Sequence, residues 1–82
     1  MLRLRTHISA FPNPVQSYVK FDCTENENER FEVSVITLSG TICKQSVETG
    51  NFNLDVSDCP KGVLLVRIAN ERGVSQKIIL KN

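Results

Sequence analysis

Eighty-two residues provide one small domain, which buries only about 60–65% of the surface its unfolded chain exposes, and leave no room for a second. Hydrophobic residues make up 40% of the chain and charged ones 23%, a balance that excludes disorder. Ten Lys and Arg against nine Asp and Glu give a net charge of +1, and their scattered placement excludes the basic stripe of a nucleic-acid binder.

The opening run Met1-Leu2-Arg3-Leu4-Arg5-Thr6-His7 lacks the apolar stretch of about 7–15 residues that a signal peptide needs, and no later stretch reaches the length of a membrane span. The chain as it stands is therefore expected either to work in the cytoplasm or to be a piece of a longer exported protein. Short segments rich in β-branched residues then recur between clusters of Gly, Asn, Asp and Pro, the spacing of an all-β sandwich or barrel. The expected strands are 6–11, 17–23, 30–38, 41–47, 51–56, 63–69 and 74–80. Seven antiparallel strands is the count of the smaller immunoglobulin-like β-sandwich.

Side chains alternate faces along a strand. That rule places Val19, Phe21 and Cys23 inward, and likewise Phe31, Val33 and Val35. Phe52, Leu54 and Val56 follow the same pattern. The sixth strand is apolar on both faces until Arg67, as befits a central strand, and Leu64, Val66 and Ile68 are placed inward so that Arg67 stays in water. In the last strand Ile78 and Leu80 are expected in the core, with Lys77 and Lys81 facing solvent.

The connections carry turn chemistry. Glu25-Asn26-Glu27-Asn28-Glu29 and Leu38-Ser39-Gly40-Thr41 are both expected to close hairpins, with Gly40 supplying positive φ. In Ser57-Asp58-Cys59-Pro60-Lys61-Gly62 the Asp58 side chain is expected to close the turn, Pro60 to fix φ and Gly62 to release the chain into the next strand. Asn70-Glu71-Arg72-Gly73 repeats the device. The three cysteines Cys23, Cys43 and Cys59 fit neither a disulfide framework nor a C-x-x-C site. They read as small buried hydrophobes, with one pair and one left-over thiol as the alternative.

Four blocks, in order and at matching intervals, resemble the C-terminal sorting domain of type IX (Por) secretion cargo: Phe11-Pro12-Asn13-Pro14-Val15; Leu38-Ser39-Gly40; the run from Asp55-Val56-Ser57-Asp58-Cys59-Pro60-Lys61-Gly62 to Val63-Leu64-Leu65-Val66-Arg67-Ile68; and Gln76-Lys77-Ile78-Ile79. The resemblance covers residues 11–82 and leaves 1–10 as a linker or the start of an edge strand. The family commonly has an aromatic where Leu64 stands and a leucine where Cys59 stands, both conservative departures for a core.

What the resemblance implies is a non-catalytic address label at the end of a secreted or cell-surface protein. Its partners would be the outer-membrane translocon and a surface sortase that removes the tail, with a cargo domain preceding it in the same chain. The recognised part is then expected in residues 73–82, with Gly73, Gln76, Lys77, Lys81 and Asn82 as partner-binding residues. The competing reading of the same sandwich is a stand-alone adhesion or protein-interaction module.

Residues with other chemistry are few. His7 is the only histidine, with no Ser or Cys and carboxylate pattern around it. Glu25, Glu27 and Glu29 lack the glycine and spaced aspartates of a calcium loop and read as a solvated tip. No catalytic residue, cofactor or metal is expected.

Overall fold

In a computed structural model, residues 9–11, 17–22 and 29–82 are described. They form seven strands: β1 (Ser9–Phe11), β2 (Tyr18–Asp22), β3 (Arg30–Thr37), β4 (Ile42–Thr49), β5 (Phe52–Asp55), β6 (Gly62–Asn70) and β7 (Gly73–Lys81). The expected alternation is met where it was clearest. Val19, Phe21, Phe31, Val33, Val35, Leu54, Val56, Leu64, Val66 and Ile68 are each at most 1% exposed, and Phe52 is buried with them. Arg67 lies in water.

All pairings are antiparallel, in two sheets ordered β1-β2-β5 and β4-β3-β6-β7. The constant-type immunoglobulin sandwich divides its strands four and three. Here β4 sits beside β3, so the larger sheet holds β3, β4, β6 and β7. Burying the inner faces of two sheets against each other supplies one core. On the smaller sheet Phe21 and Phe52 are cross-strand partners whose rings stack at 5.1 Å between centroids, a geometry worth about 0.5–1.5 kcal/mol beyond the buried area.

The Leu38-Ser39-Gly40-Thr41 hairpin forms as expected, closed by Gly40 N–H to Thr37 O and Thr37 N–H to Thr41 O, both 2.9 Å. The strands joined by the run that includes 25–29, β2 and β3, do not pair as a hairpin: they belong to different sheets, so the connection passes from one sheet to the other. The crossing itself, apart from Glu29, lies outside the described residues. So do Cys23, His7, Glu25, Glu27 and the Pro12-Asn13-Pro14-Val15 block.

The phase of β7 also differs from the expectation. Ile79 is 1% exposed and Lys81 is buried, whereas Ile78 is 67% and Leu80 45% exposed. Asn70 pairs with Gly73, leaving a two-residue turn, and that register sets Leu64 against Ile79 and Val63 against Leu80. Since directly opposite residues share a face, the inward phase of β6 dictates that of β7. Lysine is tolerated inside because its long stem is apolar and only its head needs polar partners.

Two outcomes follow from this arrangement. Ile79→Ala is expected to cost about 2–5 kcal/mol and Ile78→Ala under about 0.5 kcal/mol; a urea melt of each variant separates them, and the opposite order would restore the other phase. Gly40 and Gly62 hold φ of 90° and 111°, and an added Cβ at either meets no atom within 4 Å. Replacement by Val is thus expected to cost more than about 1 kcal/mol through φ alone, and replacement by Asn distinctly less, as judged by the shift in denaturation midpoint.

Candidate functional site

The terminal hairpin β6–β7 carries the residues that the sequence singled out, and it is fixed at both ends. At the turn end, Asn70 Oδ1 accepts the Arg72 N–H at 2.9 Å, the side-chain-to-backbone closure expected there. Asn70 Nδ2 donates to Glu29 Oε2 at 2.8 Å, and Arg72 pairs with Glu29 Oε1 at 2.6 Å. Glu29 thereby ties the start of β3 to the hairpin turn. The Arg72 side chain is 71% exposed, so the ion pair itself contributes little.

At the other end, the connection from β5 to β6 folds under Lys81. The Asp55 carboxylate, rather than Asp58, closes the turn by accepting the Ser57 N–H at 2.9 Å. Cys59 N–H donates to Val56 O at 3.0 Å. The Lys81 ammonium donates to Ser57 O at 3.0 Å and to Cys59 O at 2.5 Å. Lys81 is therefore turned away from solvent, contrary to the sequence expectation. Of the other expected residues, Gln76 and Asn82 are exposed and Gly73 and Lys77 are half-buried.

Cys59 is also covalently bound. It pairs with Cys43 of β4, their Cα atoms 5.5 Å apart. This is the alternative that the cysteine count left open rather than the favoured reading of three free thiols. Its origin is local: the β3–β4 register passes from Val35↔Lys44 to Ile36↔Ile42, so Cys43 is the extra residue of a bulge, a device that re-aims side chains. A bridge across 16 positions stabilises by about 3 kcal/mol through the unfolded chain.

The outer face of the larger sheet presents an apolar row. Ile42 opposes Ile36, Ile36 opposes Leu65, and Leu65 opposes Ile78; the two outer isoleucines, on the edge strands, are exposed. A polar row follows, in which Ser34 lies between Gln45 and Arg67, and Arg67 beside Gln76. Among the described residues no group of three or more His, Cys, Asp and Glu gathers as a metal site would require. No helix among them is long and apolar enough to cross a membrane.

Hydrogen bonds from the Ser57 hydroxyl and from its backbone N–H hold the Asp55 carboxyl below its ordinary value of 3.8, and the positive charges of Lys44 and Lys81 act in the same direction. A carboxylate lowered on folding stabilises the native state above its unfolded pKa, and that contribution is lost as pH falls through the folded value. Compared with Asp55→Asn, which keeps the turn-closing oxygen, the parent is expected to lose its relative stability only below about pH 3.8. Paired thermal melts from pH 6 down to pH 2 would check this, and a difference independent of pH would contradict it.

The arrangement is that of a small immunoglobulin-like sandwich with a terminal strand pinned at both ends. The model of the secretion system C-terminal sorting domain matches residues 9–81, and the chain belongs to that family, the sorting domains of type IX secretion. No curated protein matches the chain.

Proposed function

We propose that this chain is the non-catalytic address label of a larger exported protein, carried behind a cargo domain through the periplasm and outer membrane to the cell surface. The family match across 9–81 carries this reading. Residues 11–82 form the label, and residues 1–10 serve as the linker or opening edge that joins it to the cargo. The translocon of the outer membrane reads the label, and the surface sortase cuts it from the cargo.

Recognition falls on the terminal hairpin. Its accessible part comprises Gly73, Gln76, Lys77 and Asn82, and a folded partner can reach them without opening the core. The apolar side chains of Ile78 and Leu80 lie on the same exposed side of β7 as Gln76, and apolar groups within a polar rim are the usual core of an interface.

The test is a reporter carrying a signal peptide at its front and this chain at its end, expressed in a cell that has the type IX machinery. The intact fusion is expected at the surface, and removal of residues 76–82 is expected to leave it in the periplasm. A variant that keeps the fold, Gln76→Ala with Lys77→Gln, is expected to melt within about 1 kcal/mol of the parent and to reach the surface less efficiently. Normal transport of that variant would remove these two side chains from the recognised surface. Retention of the intact fusion in the periplasm would overturn the sorting function.

A further inference from the structure

Lys81 is a charged residue that is only 8% exposed, and its two hydrogen bonds run to neutral carbonyls, Ser57 O and Cys59 O. Burying an ammonium is costly unless its donors are satisfied. Beside the backbone pairing of Lys81 with Gly62, the position of those carbonyls therefore decides where the ammonium at the end of β7 is held. They belong to a turn between β5 and β6 whose Ser57, Asp58, Pro60 and Lys61 are exposed and which lies outside both sheets. Within the turn the hydrogen bonds are local, Ser57 N–H to the Asp55 carboxylate and Cys59 N–H to Val56 O, and at its base Val56 N–H donates to Ser17 O at 2.8 Å.

Val56 and Cys59 are buried in the core on either side of Ser57 and Asp58, and a further anchor is covalent. Cys59, whose carbonyl accepts the shorter bond from Lys81, is bonded to Cys43. Cys43 lies on β4 and Lys81 on β7, the two opposite edges of the larger sheet. Those edges are separated by three strand spacings, about 14 Å. The turn thus spans the end of the sandwich, joined to one edge by a disulfide and to the other by an ammonium.

We infer that the Cys43–Cys59 disulfide and Lys81 form one coupled latch, in which the cysteine bond holds the carbonyl socket that captures the end of β7. Lys81 is then a positioning residue, and the end of the terminal strand, paired with Gly62 and Val63 in either state, gains this second hold only in the oxidised chain. Oxidation proceeds by exchange with a disulfide donor: one thiolate attacks it to form a mixed disulfide, the second cysteine displaces the donor sulfur, and two donor thiols are released. Two electrons leave the cysteine pair and two protons follow to the donor. A chain still in a reducing compartment has a looser terminal strand than the same chain after export, whatever partner later reads it.

The test is a cycle of four species, oxidised and reduced by dithiothreitol, each with Lys81 and with Lys81→Met, which keeps the apolar stem. Amide hydrogen exchange is followed by mass spectrometry in residues 57–61 and 78–82, with 30–37 of the central strand β3 as control. In the parent, reduction is expected to speed exchange at 57–61 and 78–82 by about tenfold or more beyond its effect at 30–37, which reads the global stability lost with the bridge. In Lys81→Met the oxidised chain already exchanges faster at 78–82, and reduction adds less than about threefold there. An equal fold-change with and without Lys81 would overturn the coupling. Reduction that leaves 78–82 unchanged, or that speeds all three segments alike, would also overturn it, and both readings come from the parent alone if Lys81→Met does not fold.

Discussion

The two-residue turn between Asn70 and Gly73 is the constraint on which the terminal half of this protein depends. It fixes the pairing of β7 on β6 with no freedom to slip, because a shift of one residue would exchange the two faces of the strand. Three consequences follow from that single register. Ile79 joins the core opposite Leu64, Ile78 is turned outward beside Leu65, and Lys81 is turned toward the β5–β6 connection. The Glu29 carboxylate, held by both Asn70 and Arg72, secures the turn that sets the register. The surface offered by the hairpin is thus decided at the end of the strand farthest from Lys81.

Much of the fold was legible because strands β2 and β5, and β3 as far as Val35, alternate between inward apolar residues and outward ones with a polar group, so that one phase buries the apolar set. Strand β6 was readable for a different reason, since Arg67 excludes one of its two phases. Strand β7 offers no such decision: Ile78, Ile79 and Leu80 are consecutive, and a lysine stands on either side of them. Composition favours two apolar residues inward, whereas the register imposed by the hairpin turns one apolar residue and a lysine inward. A period of two cannot reveal that choice, and the partner strand makes it.

The cysteine pair escaped sequence reading for a related reason. Cys43 and Cys59 lie on elements far apart in pairing order and meet only because a bulge interrupts β4 and the β5–β6 turn crosses the open end of the sandwich. The crossing between β2 and β3 was equally hidden, as a polar run serves a hairpin tip and a crossover alike. Of the expected recognition residues, four are accessible to different degrees and the fifth, Lys81, is internal. Side-chain chemistry suggested an exposed charge; two backbone carbonyls, which no residue pattern displays, supplied the alternative. The family match places residues 9–81, and with them these features, within a sorting domain.

The bridge between Cys43 and Cys59 also sets how far the molecule can be drawn out. It closes a loop that contains most of β4 and all of β5. A chain pulled by its two ends transmits tension through the sulfur atoms, and the enclosed backbone carries none of it. With 16 positions spanned at about 3.4 Å each, the oxidised chain extends about 50 Å less than the reduced one. Any machine that threads this domain as an unfolded strand must pass a closed double strand at that point, whereas one that moves it folded encounters only a compact sandwich.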